Sequence, residues 1–65
     1  MTRAELRLDL EAALRRLTPR QAVALGAWLA GYTQQEIGDA CGVSQVAIYY
    51  RIKGAIGRMQ EYLDA

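Results

Sequence analysis

Residues 33–52, TQQEIGDACGVSQVAIYYRI, hold two helix-start signals on either side of a glycine, and few folds accommodate that layout. Thr33 and Glu36 have the spacing of a capping box, in which hydroxyl and carboxylate each accept a backbone N–H at the start of a helix. Ser44 offers another capping hydroxyl soon afterwards, so a helix begun at Thr33 must stop near Cys41. Gly42 then supplies the residue that tolerates positive φ where the chain reverses. Ile37, Cys41, Val43, Ile48 and Ile52 are spaced to lock the two helices together and onto the rest of the chain. Gly38 falls where the second helix is expected to cross the first, leaving no room for a side chain larger than alanine. Two packed helices joined by so short a turn make a helix-turn-helix. A helical hairpin in any small bundle also uses a glycine and a serine cap, but the agreement of caps, glycines and apolar positions favours the more specific motif.

The same signals divide the remaining sequence. Thr2 and Glu5 form another capping box, followed by Leu6, Leu10, Ala13, Leu14 and Leu17 on one helical face, with Leu8 outside it. Thr18, Pro19 and Gln21 start a second helix that reaches about residue 30, where Gly31 can end it. The predicted fold is therefore all-α: one domain over residues 1–65, with a leading helix at about 2–17 and a second at about 19–30. The helix-turn-helix occupies about 33–58, its last helix extending to about 63. Along that last helix Ile48, Ile52, Ala55, Ile56, Met59 and Leu63 share a core-facing side. Trp28 is expected in the core.

A chain of 65 residues buries only roughly 60% of its unfolded surface, which argues against a deep substrate cavity. Its 52% hydrophobic and 23% charged residues suit a compact domain rather than a disordered tail. No stretch approaches the roughly 18 apolar residues of a membrane span, and MTRAELRLDL lacks an uninterrupted apolar signal segment, so a soluble, cytoplasmic protein without a membrane partner is expected. With one cysteine and no histidine, neither an internal disulfide nor an ordinary zinc site is expected. With no histidine and no glycine-rich phosphate loop, catalysis and a cofactor are not expected either.

The charge pattern points elsewhere. The chain carries only +1, yet residues 44–58 contain Arg51, Lys53 and Arg58 and no acid, so that this segment is +3 and the rest −2. Helical projection groups Val46, Tyr50, Lys53 and Gly57 opposite the core side, flanked by Tyr49 and Arg51, with Gln45 at the exposed start. Three cations on a helix face also serve solubility alone. As a DNA-facing surface, each residue has a chemical use. Gln45 can donate and accept together, as a bidentate contact to adenine requires, and Val46 can meet a thymine methyl. Ser44 can hold phosphate with its hydroxyl at a helix N-terminus, and Arg51 and Lys53 supply positive charge. Tyr49 and Tyr50 can pack on sugars and donate to phosphate, although tyrosine suits a protein partner equally well. Thr33, Gln34 and Gln35 begin the helix that crosses the backbone in this arrangement, while capping alone accounts for Thr33.

Residues 17–52 resemble the helix-turn-helix shared by LuxR-type regulators and region 4 of sigma factors. LTPRQ at residues 17–21 is similar to the LTPRE opening of the LuxR-type domain, and its G-x-[ST]-x-x-E-I run is matched by Gly31, Thr33, Glu36 and Ile37. The glycine-apolar-serine turn follows, and Ile48, Arg51 and Ile52 repeat the apolar, polar, apolar order of the recognition helix. The leucine-rich helix before Leu17 is more sigma-like. Cys41 stands where leucine is usual, Gly38 where alanine is usual, and Val46, Tyr49 and Tyr50 where polar or basic residues are common. The resemblance implies a small bacterial or phage transcription regulator that binds double-stranded DNA through its major groove. Two other roles fit: an adaptor for RNA polymerase or another regulator, and the DNA-binding part of a phage packaging (small terminase) oligomer. Few cations per chain mean few phosphate contacts, and a homodimer would double them. Met59, Tyr62 and Leu63 offer a seam for it, with Tyr62 the preferred interface residue and Met59 and Leu63 expected to cover the first helix.

Overall fold

In the computed structural model, residues 2–64 are described and form four helices without a strand. They are α1 (Arg3–Leu14), α2 (Pro19–Leu29), α3 (Gln34–Cys41) and α4 (Gln45–Asp64). Every start is capped as the sequence predicts. Thr2 with Glu5, Thr18 with Gln21 and Thr33 with Glu36 close reciprocal capping boxes, and Ser44 Oγ accepts from the Ala47 amide at 3.1 Å. Such a cap contributes typically about 1 kcal/mol, which matters in a domain whose net stability is of order 3–10 kcal/mol.

The helix ends follow equally local rules. Gly31 takes φ 103°, and beyond it the Tyr32 amide donates to the Ala27 carbonyl at 3.2 Å while Gly31 N–H donates to Trp28, the pattern of a Schellman ending. At the end of α3, Gly42 takes φ 70° and the Val43 amide reaches back to the Gly38 carbonyl at 2.9 Å. Three residues, 42–44, thus separate α3 from α4. The leading helix is shorter than expected: α1 stops at Leu14, and residues 15–17 continue as a turn that carries Leu17 into the core.

The core is small. Leu17, Ala24, Leu25, Ile37, Ile48, Ile52 and Ala55 form one buried cluster, with Ala27, Val43 and Met59 packed at its edge. Ile48 is the largest side chain removed entirely from solvent. Helix α4 is the spine against which α1, α2 and α3 all pack.

Several expected core residues lie outside it. Leu6, Leu10 and Leu14 are each more than two-fifths exposed, as are Trp28, Ile56 and Leu63. Their faces are amphipathic as read, but α1 meets the rest of the domain mainly at its C-terminal end and the turn beyond it, where Ala13 and Leu17 are buried, and no further element among the described residues covers the others. Cys41 is exposed rather than packed in the turn. Tyr62 is half-buried, its ring lying 4.9 Å from the Arg16 guanidinium, so it belongs to the α1–α4 junction rather than to a free seam.

Gly38 is buried, but the close neighbour is not the crossing helix. A Cβ there would stand 2.8 Å from the Val43 carbonyl oxygen and 3.3 Å from the Ser44 carbonyl, both backbone atoms of the turn. Even alanine therefore forces the turn outward. At Gly42 space is open and only the positive φ opposes a side chain. Thermal or denaturant unfolding should show Gly38→Ala destabilised by about 1–3 kcal/mol through overpacking, and Gly42→Val by about 1–2 kcal/mol through backbone strain. Gly57→Ala, inside α4 with no atom near its would-be Cβ, should instead gain about 0.4–1 kcal/mol. A Gly38→Ala melt equal to wild type would mean that the turn is not held against α3.

Candidate nucleic-acid interface

The N-terminal half of α4 presents one continuous outward face because Ile48 and Ile52 point the opposite side into the core. On that face Val46 and Tyr50 are each 63% exposed and Tyr49 is 45% exposed. Ser44, Gln45 and Lys53 are exposed, while Arg51 is half-buried on the flank. The first turn of α4 contains no acidic residue. The surface is therefore a short, mildly cationic ridge with amide, hydroxyl, phenol and aliphatic groups within about two helical turns.

Local contacts shape how these groups can act. The Tyr49 and Tyr50 rings meet edge to face with centroids 5.3 Å apart, which restrains both at modest entropic cost. Lys53 Nζ lies 5.9 Å from the centroid of the Tyr49 ring, one turn back on the helix. At an exposed site such a cation–π contact contributes about 0.5–1 kcal/mol, weak enough for the ammonium to leave the ring for a phosphate. The Ser44 hydroxyl accepts the Ala47 amide and keeps its own proton to donate. Both amide functions of Gln45 stand at the exposed helix start, where a base edge can be approached.

The α3 end of the surface is more constrained. Thr33 Oγ1 accepts the Glu36 amide at 3.1 Å, and Glu36 Oε1 accepts the Thr33 amide at 3.0 Å. Gln34 is half-buried. Gln35 is exposed but its Nε2 donates to Asp39 Oδ1 at 3.3 Å, which places a carboxylate beside a residue expected to meet phosphate. Of the three sequence-proposed α3 residues, Thr33 thus has a structural task already, and Gln35 must exchange a partner to contact a backbone.

The third cation of the basic segment faces elsewhere. Arg58 Nη1 donates to the Arg16 carbonyl at 3.2 Å, and the Arg16 guanidinium covers the Tyr62 ring. Arg58 therefore fastens the turn after α1 to α4, leaving Arg51 and Lys53 as the cations of the ridge. The Tyr49–Lys53 pairing was available to the sequence as an i,i+4 spacing. The Arg16–Arg58 and Arg16–Tyr62 contacts join residues more than forty positions apart and have no local signature. Among the described residues no group of three or more Cys, Asp or Glu comes together in a way that could hold a metal ion.

No protein-family model matches this chain, and neither does any curated protein or solved structure.

Backbone and side-chain hydrogen bonds from Thr33 hold the Glu36 carboxyl below its usual value of 4.5. A carboxylate whose pKa is lower folded than unfolded adds stability that is complete above the unfolded value and disappears as pH falls through the folded one. Acid titration should therefore weaken the start of α3 below about pH 4.5, the usual value for this group. In melts across that range, Glu36→Gln should lose less stability on acidification than wild type. Parallel curves for the two proteins would show that Glu36 does not carry the dependence.

Proposed function

We propose that this chain binds double-stranded DNA sequence-specifically, inserting the N-terminal half of α4 into the major groove as a small transcriptional regulator of the helix-turn-helix kind found in LuxR-type proteins and sigma region 4. The observation that carries the proposal is the pairing of α3 and α4 across residues 42–44, with Gly38 against the turn backbone. That pairing holds a rigid, acid-free helix start away from the core. An α-helix so presented fits the width of the major groove, whose base edges carry a distinct donor and acceptor pattern for each base pair.

Within this reading Gln45 is the principal base reader and Val46 the partner of a thymine methyl. Tyr49 and Tyr50 pack against sugar and phosphate, while Lys53, Arg51 and the Ser44 hydroxyl fix the register on the backbone. Thr33, Gln34 and Gln35 line the helix that crosses the phosphates, Gln35 after releasing Asp39. Two ridge cations per chain predict a shallow salt dependence, since each neutralised phosphate contributes nearly one unit to the slope of log affinity against log salt.

A second reading is favoured by one specific feature. Val46 and Tyr50 are both 63% exposed at the centre of the ridge, and tyrosine is a usual anchor of protein interfaces, for which the neighbouring valine adds apolar area. In that reading the same ridge docks on RNA polymerase or another regulator.

Selection on random duplexes followed by binding titrations tests the proposal. Gln45→Ala should cost about 1–3 kcal/mol at one preferred base pair and flatten the preference there. Lys53→Ala should weaken all duplexes alike and reduce the salt slope by about one unit. Recovery of no preferred site, together with retention of polymerase from a nuclease-treated bacterial lysate, would transfer the ridge to the second reading.

A further inference from the structure

The surface area of this domain is too large for its mass. Folded monomers follow a scaling of area with mass that gives about 4,100 Å² for a chain of this size. This 7.2 kDa chain exposes 4884 Å², an excess of about 750 Å² over that scaling. Its radius of gyration is 12.7 Å, where a compact domain of this length has about 11 Å. A standard interface takes about 800 Å² from each partner. The excess is therefore close to one partner's share.

Apart from the α4 ridge, two stretches of this exposed apolar surface have complementary shapes. One is an open groove between the C-terminal ends of α2 and α4, lined by Leu25, Trp28, Leu29, Ile56, Met59 and Leu63. Leu29 is 71% exposed and Trp28 42%. The other is the part of the α1 leucine stripe that stays exposed, Leu6, Leu10 and Leu14, ahead of and beside the point where Ala13 and Leu17 of the same stripe are buried in the domain. An amphipathic helix and an apolar groove are complementary shapes. Arg3 projects on the same face of α1 as Leu10 and Leu14, and Asp64 stands at the end of the groove, so the charges at the margin also match.

We infer that a second copy of this chain occupies the groove: each copy lays the leucine face of its α1 between α2 and α4 of the other, forming a two-fold dimer. Such an interface is self-complementary, because each copy both offers a helix and receives one. It involves none of the residues of the α4 ridge and does not depend on DNA binding. Because it is apolar, it persists as salt rises, whereas binding to phosphate weakens.

Trp28 is the only tryptophan and lines the groove, so it reports the event directly. Sedimentation equilibrium of the full chain without DNA should give twice 7.2 kDa, and the Trp28 emission should move to the red as the dimer dissociates on dilution. Leu6→Glu and Leu29→Glu, both at exposed positions, should each yield a monomer with red-shifted emission and unchanged helical circular dichroism. Mixing the two variants should restore association in part, because the intact groove of one then meets the intact α1 of the other. A wild-type chain that stays monomeric to about 1 mM would overturn the inference. So would a dimer that survives both substitutions, or one whose dissociation leaves the Trp28 emission unmoved.

Discussion

Among the described residues Ile48 is the one large side chain wholly removed from solvent, and its burial depends on how closely the start of α4 can approach α3. That approach is set at Gly38, where the turn carbonyls of Val43 and Ser44 occupy the space a Cβ would fill. Gly42 supplies the left-handed step, Ser44 caps α4 at once, and Ile48 then falls one turn later into the core cluster that also holds Ile37 and Leu25. Burying such a side chain contributes about 1.5–3 kcal/mol, a large part of what a domain this small can hold in reserve. The same constraint orients the ridge. With Ile48 and Ile52 fixed inward, Val46, Tyr50 and Lys53 can only point outward.

All four helix starts were legible in the sequence because capping is local chemistry: a hydroxyl and an acceptor three residues on suffice. The two left-handed glycines were legible for the same reason. What periodicity could not tell was whether an amphipathic face has anything to lie against. Leu6, Leu10 and Leu14 form the stripe that their spacing requires, yet they stay exposed because α1 touches the domain chiefly near Ala13 and Leu17. The general behaviour of tryptophan places Trp28 in the core, but the ends of α2 and α4 leave it 42% exposed. Cys41 sits at the last turn of a short helix, where one residue's rotation decides between inside and outside.

The ridge itself shows a similar division. Its members and their outward direction follow from helical geometry once Ile48 is inside, so Gln45, Val46, Tyr49, Tyr50 and Lys53 could be named from sequence. The partners that modulate them could not all be. Asp39 beside Gln35 and Tyr49 beneath Lys53 lie within one turn and could have been anticipated. The withdrawal of Arg58 to the Arg16 carbonyl is a long-range contact, and it lowers the charge available to a phosphate backbone. In the proposed complex with DNA, fewer cations would leave more of the affinity to base and shape contacts than to phosphate attraction.

Helix α4 joins these themes because it is one uninterrupted 20-residue element, about 30 Å long at the usual rise per residue. Its first half carries the polar and aromatic ridge, and its second half forms a wall of the apolar groove with Ile56, Met59 and Leu63. Nothing in its described length breaks the helix: the one proline of the chain lies in α2, and Gly54 and Gly57 remain helical. An unbroken helix carries orientation from one half to the other. Any partner seated on the groove therefore fixes the direction in which the ridge is presented, and two copies related by a two-fold axis there would hold their ridges at one defined separation. A chain with two ridge cations would then bind DNA through the geometry of a pair, with specificity arising from the spacing between two weak contacts rather than from the strength of either.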